Sequence, residues 1–249
     1  MCTVVLLRRP DHDWPLLLGA NRDEMKDRPW SPPDRHWAEY PHVIAGCDEL
    51  AGGTWMGIND DGVVACVLNR VGTLGAHPDF RSRGELPLEA LDHAEADVAA
   101  ESLEDLNPEA YRPFNMIIAD HESAWWIKND GLQIQTDEIP EGLSMLSAHD
   151  LNDTKHSDRL KLHLPRFRSA PAPEPENDDW MAWQALLGSR KSLENPRSAM
   201  QIETDFGFQT VSSSLLALPK PWQKERKPIW KFCSGKPSEM DFTFVDLEK

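Results

Sequence analysis

The chain opens MCTVVLLRRP and, after a turn at Asp11–Pro15, continues with PLLLGANRDEM. Thr3–Arg9 is β-branched and aliphatic and reads as a buried strand; Leu16–Asn21 returns as a second strand. A hairpin of this kind fixes a proximity. It sets Cys2 and the tetrad Asn21-Arg22-Asp23-Glu24 at neighbouring ends of two paired strands.

That proximity has chemical content. Methionine aminopeptidase removes Met1 when the next side chain is small, as Cys2 is. Processing leaves a thiol and an α-amine on one residue, with ordinary pKa values of about 8.5 and about 7.7–8.0. An N-terminal amine can serve as base for the nucleophile beside it. Asp23 is of the type that holds such an amine in place, and Arg22 and Asn21 are of the type that stabilises oxyanion charge. The plain alternative is a small apolar residue starting a strand, followed by a solvated charge run.

Further along, Arg28–Pro41 (RPWSPPDRHWAEYP) reads as an ordered surface loop. Thr54–Asn59 and Val63–Asn69 form a hairpin around Asp60-Asp61-Gly62, preceded by Gly52-Gly53. Ser82–Leu103 reads as one long helix with a Ser82/Glu85 capping box. Phe114–Ala119, Ala124–Lys128, Leu132–Thr136 and Leu143–Ala148 read as strands, and His156–Phe167 and Trp180–Leu187 as helices. Val211–Leu218, Pro228–Phe232 and Asp241–Val245 are late strands. The stretch APAPEPENDD is a Pro/acidic loop near 170–179 with little to pack. Hairpins with helices gathered between them imply antiparallel sheets covered by helices, in a single domain over residues 1–249.

Composition narrows the function classes. The 249 residues carry 26 Lys and Arg against 42 Asp and Glu, a net charge of −16. A general nucleic-acid binder needs clustered cations and is disfavoured, whereas a local basic pocket for an anion is compatible. Cys2, Cys47, Cys66 and Cys233 are widely spaced and contain no CxxC pair. Zinc and disulfide frameworks are therefore weak readings, and reduced thiols in the cytoplasm fit best. No segment approaches the ~20 apolar residues of a membrane span.

Other residue groups could carry chemistry. Val67-Leu68-Asn69-Arg70 again ends an apolar strand in Asn-Arg, where Asn69 is either an oxyanion donor or a turn residue. Arg81, Arg83 and Glu85 precede the long helix, whose N-terminus with two arginines could hold an anion or be ordinarily capped. His149-Asp150 reads as an acid–base pair, a metal ligand set or a structural hydrogen bond; His149 is also of the type that ligates haem iron. The tryptophans Trp30, Trp37, Trp55, Trp125 and Trp126 line a pocket or belong to the core.

Taken in order, MCTVV, GANRDE (19–24), GGTWMGIN (52–59), VLNR (67–70), SRGEL (82–86) and FNMIIAD (114–120) resemble the NRDE family, the Transport and Golgi organisation protein 2 family. The resemblance covers the N-terminal half clearly and the C-terminal half loosely. That family is similar in turn to the N-terminal-nucleophile hydrolases of the cholylglycine hydrolase and penicillin V acylase group. The resemblance implies a four-layer αββα sandwich of α+β class, with Cys2 as nucleophile, Asp23 positioning its amine and Asn69 as oxyanion donor. Asn21, Arg22, Glu24, Arg70, Arg81, Arg83 and His149 are then the candidate substrate-binding residues, and no metal or cofactor is expected.

Three positions depart from the pattern. Ala20 stands where the hydrolases keep an arginine three residues before the aspartate. Met145 or Ala148 stands where NRDE relatives have the asparagine of Gly-Leu-Ser-Asn, and Phe208-Gln209 replaces a late arginine. The resemblance implies either a cysteine amidohydrolase or acyltransferase acting on a small amide or thioester, or a non-catalytic protein that binds haem or acyl-CoA in the same cleft.

Overall fold

The computed structural model describes residues 2–75, 77–221 and 226–249. The chain divides into two compact units, Met1–Arg28 with Glu141–Val245, and Pro29–Pro140 with Asp246–Lys249. Elements are numbered along the chain.

The first unit contains β1 (Thr3–Arg8), β2 (Leu16–Met25), β10 (Gly142–Leu146), β11 (Phe208–Leu218), β12 (Ile229–Cys233) and β13 (Thr243–Phe244). Among the described residues they form one antiparallel sheet in the order β10-β1-β2-β11-β12-β13. The predicted hairpin is present, with Thr3 opposite Asn21 and Arg8 opposite Leu16. Side chains alternate between the two faces of a strand. Val5 and Leu17 pack with Trp180, Trp183 and Leu187 of the helical layer, which consists of α3 (Asp158–Ser169) and α4 (Met181–Leu187). A Cβ on Gly19 would lie 3.1 Å from the Trp183 ring, so the small residue lets α4 approach β2.

The helix α3 begins where Ser157 Oγ accepts from the Leu160 amide. It buries Arg159, Leu160, His163, Leu164 and Phe167. The Pro/acidic segment packs more than its composition suggests. Pro173 and Pro175 are buried, and Glu174 and Asp179 pair as an isolated bridge. Proline has no side-chain charge to keep in water, so these two turn inward while the acids face out.

Among the described residues the second unit is a seven-stranded meander, β3 (Trp30–Asp34), β4 (Val43–Asp48), β5 (Met56–Asn59), β6 (Val64–Asn69), β7 (Phe114–Ala119), β8 (Ala124–Asn129) and β9 (Ile134–Glu138), in chain order. Two short helices, α1 (Leu86–Ala90) and α2 (Ala96–Ser102), share a core with it that includes Val43, Leu91, Phe114 and Ile127.

Two sequence expectations fail in this unit. Trp30–Asp34 lies within the expected loop yet forms an edge strand. Its Pro32-Pro33 pair is tolerated there because an edge needs only one side of its backbone paired, and the register slips between Ser31 and Asp34. The expected single helix over 82–103 is broken in two. The Asn59 side-chain amide takes the carbonyls of Leu91 and His93, and the Asp120 carboxylate accepts from the Ala96 amide and starts a new helix. Glu85 does not complete a capping box; it accepts from the Tyr111 hydroxyl at 2.5 Å.

Two of the sequence motifs meet at glycines. The Thr54 amide donates to the Gly84 carbonyl at 2.8 Å, and a Cβ on Gly53 would lie 2.4 Å from Gly84 backbone atoms. Among the described residues no helix is long and apolar enough to cross a membrane.

Gly53→Ala is expected to destabilise the protein by about 2–3 kcal/mol, because rigid backbone cannot move aside for the added methyl. The urea-unfolding midpoint checks this.

Candidate functional site

The two strand ends that the sequence brings together are β1 and β2 of the first unit. Cys2 is half-buried, and its Sγ donates to the Asp23 main-chain carbonyl at 3.7 Å. Alternation puts Thr3, Asn21 and Asp23 on the helix side of the sheet and Cys2 and Arg22 on the other. The removal of Met1 concerns a residue outside the described ones.

The Asp23 carboxylate is fully enclosed. One oxygen accepts from Thr210 Oγ1 at 2.7 Å, and the other pairs with Arg159 Nη1 of α3 at 3.0 Å. The Thr210 hydroxyl also accepts from the Ile202 amide at 3.0 Å, which orients its hydrogen toward Asp23. This pairing depends on a bulge. β11 opposes Asp23 with Thr210 but Arg22 with Ser212, so Val211 is an extra residue at that step.

Burial pushes the Cys2 thiol above the ordinary thiol value, and the Asp23 charge pushes it further. The Asp23 carbonyl hydrogen bond and the Arg22 guanidinium act the other way without cancelling this. Burial and the Asp23 charge both favour the protonated thiol. A nucleophile in that state needs a base to take its proton.

The other candidates divide by the company they keep. Asn21 is buried, and its amide donates to the carbonyls of Leu187 and Met200 at 2.9 and 3.0 Å while Oδ1 accepts from Ser213. Its amide therefore ties the end of α4 to β2. Glu24 accepts from the Met25 amide and lies 4.0 Å from Arg28. Arg22 is buried. His149 is half-buried and stacks near His156, with ring centroids 6.5 Å apart.

The remaining candidates belong to the second unit. Asn69 is half-buried at the end of β6, opposite Phe114. Arg70 donates to Asn115 Oδ1 at 2.7 Å, an oxygen that also accepts from the Trp126 indole. Arg83 donates to Thr73 Oγ1 and to the carbonyls of Pro113 and Thr73. Arg81 pairs with Glu85 at 2.7 Å over the Tyr111 ring. The arginines expected to bind an anion near this helix thus hold the protein's own oxygens, and α1 is a five-residue helix. Among the described residues no group of three or more His, Cys, Asp or Glu is placed to hold a metal.

Sequence reasoning missed Arg159, Thr3 and Thr210. The signal for Arg159 was present: a cation at a position that shares the buried stripe of Leu160, Leu164 and Phe167. At Met145 the amide donates to Asn152 Oδ1, and the Asn152 amide group reaches Ser144 Oγ. An asparagine a few residues downstream thus braces the Gly-Leu-Ser segment from a left-handed turn with φ of 56°.

Comparison with known proteins bears on this geometry. A family model described as Transport and Golgi organisation 2 matches residues 1–191. A mouse protein described as a Transport and Golgi organization 2 homolog is 33% identical over 108 residues, covering 42% of this chain and 38% of that protein. The match thus spans well under half of that relative's length.

Solved structures of other proteins are similar in fold. A Caenorhabditis elegans N-acylethanolamine-hydrolyzing acid amidase ortholog has a TM-score of 0.59 at 13% identity, over 90% of this chain and 96% of that one. Penicillin V acylase from Agrobacterium tumefaciens has a TM-score of 0.55 at 14% identity, over 100% and 87%. A mutant conjugated bile acid hydrolase from Clostridium perfringens has a TM-score of 0.57 at 10% identity, over 100% and 94%. At such identities the likeness concerns the fold alone, which is α+β of the N-terminal-nucleophile hydrolase type.

Asp23→Asn is expected to cost about 3–5 kcal/mol, because Arg159 then stays buried without its carboxylate. Removing the charge that raises the thiol should also move the midpoint of Cys2 alkylation to lower pH. Urea unfolding and the pH–rate profile of iodoacetamide labelling, resolved by peptide mass, check both.

Proposed function

Because the chain belongs to the Transport and Golgi organisation 2 family and starts its first strand beside a thiol, we propose that it is a cysteine amidohydrolase or acyltransferase acting on a small amide or thioester. One observation carries the reading. The Cys2 thiol is seated on the main-chain carbonyl of Asp23, the residue whose carboxylate Arg159 and Thr210 fix on the other face of the strand.

In this reading, Met1 is removed and the Cys2 α-amine takes the thiol proton as Sγ attacks the substrate carbonyl carbon. A carbon–sulfur bond forms, and the carbonyl π electrons move onto oxygen. The tetrahedral species collapses, the amine or thiol leaving group departs with the proton from the α-amine, and an acyl-thioester remains on Cys2. Water resolves it in a hydrolase and an acceptor amine in an acyltransferase. Asp23 keeps the α-amine oriented through both halves.

A non-catalytic haem or acyl-CoA carrier is the alternative, and it would need basic side chains offered to propionates or phosphates. Arg83 and Arg70 bond to protein oxygens, which favours the enzyme. The small-molecule substrate is left as a class.

Incubation with a panel of activated amides and thioesters is expected to add one acyl mass at Cys2, read by intact-mass spectrometry. Cys2→Ala should abolish the adduct. A wild-type protein of confirmed Met1 loss that takes no acyl group from the panel overturns the reading.

A further inference from the structure

Arg159 is 2% exposed and sits in the first turn of α3, next to the N-cap residue's neighbour Asp158. A cation in that position opposes the helix dipole, which favours negative charge there. An aliphatic side chain would extend the buried stripe below it without that penalty. The helix by itself therefore gives no reason for an arginine.

The surroundings supply one. Nη1 donates to Thr3 Oγ1 at 2.7 Å and to Asp23 Oδ2 at 3.0 Å, and Nη2 donates to the Arg197 carbonyl at 2.9 Å. Thr3 adjoins Cys2 in the chain, and Asp23 accepts the Cys2 thiol hydrogen on its carbonyl. One guanidinium thus grips the residue after the thiol and the residue beneath it. A planar group with fixed donor directions sets both separations at once, which a flexible ammonium point charge does not.

We infer that Arg159 is a positioning residue for Cys2. It touches neither the thiol nor a substrate; it holds Thr3 and Asp23 so that the thiol and its amine stay in attacking geometry. The inference rests on the nucleophile reading above. A misplacement of about 1 Å is enough to cost up to about 100-fold in rate.

The test uses full-length protein and p-nitrophenyl acetate as the acyl probe. It follows single-turnover acylation of Cys2 by nitrophenolate release and intact mass, alongside thermal melting. Arg159→Gln is expected to lower the maximal acylation rate by about 10- to 100-fold, with the half-saturating probe concentration unchanged. Arg159→Lys should restore part of the loss. Thr3→Val keeps the Arg159–Asp23 pair and removes one grip, and it should lower the rate in the same direction by a smaller factor.

A merely structural role would lower the melting temperature and leave the rate of folded protein alone. Folded Arg159→Gln and Thr3→Val proteins that acylate at the wild-type rate overturn the inference while the nucleophile reading stands. If Arg159→Gln does not fold, Thr3→Val decides. A wild type that forms no adduct at Cys2 overturns the nucleophile reading and this inference with it.

Discussion

A desolvated ion pair closes the end of the first sheet where the chain begins. Arg159 and Asp23 are 2% and 0% exposed at their side chains, and removing two charges from water in this way is costly unless good geometry and further hydrogen bonds offset it. Here β1 contributes Thr3, β2 contributes Asp23, β11 contributes Thr210, and the turn at Arg197 contributes a carbonyl. Apolar packing is non-directional and tolerates small slips. Hydrogen bonds of about 2.7–3.0 Å to a planar cation do not, so position is specified here by polar geometry rather than by burial. The Val211 bulge fits this account, since it brings Thr210 opposite Asp23.

The second unit shows the same logic with smaller energies. Its motifs occur in pairs that touch: Gly53 lies against Gly84, and Arg70 bonds to Asn115. Arg83 crosses to Thr73 and Pro113, and Arg112 to the carbonyls of Gly72, Leu74 and Gly75, so the loop after β6 is held by side chains reaching its backbone. Arg70, Arg83 and Arg112 thus tie together segments that lie 30 to 45 residues apart. A cation and a carbonyl satisfy one another wherever the fold brings them together, and composition cannot distinguish that from ligand binding.

Much of this protein was legible in its sequence where the cause is local. Continuous apolar, β-branched runs marked β1, β2, β7 and β8, and the first hairpin set Cys2 near Asp23 because consecutive strands joined by a short turn pair with one another. The helix expected over His156–Phe167 is present as α3. The failures were tertiary. Asn59 and Asp120, outside the helical segment, broke the helix expected over 82–103 by offering its backbone better partners than continuation would. The edge strand at Trp30–Asp34 needed β4 beside it to exist.

The candidate site divides along the same line. By itself the sequence determined that a thiol at position two starts an apolar strand and that an aspartate lies on the neighbouring strand, because both follow from chain adjacency and a period of two. Only the tertiary structure decided what holds that aspartate. Arg159 is 136 residues from Asp23, and Thr210 is 187 residues from it. A partner at such separation is selected by the packing of α3 and β11 against β2, and nothing in the local pattern around Asp23 encodes it.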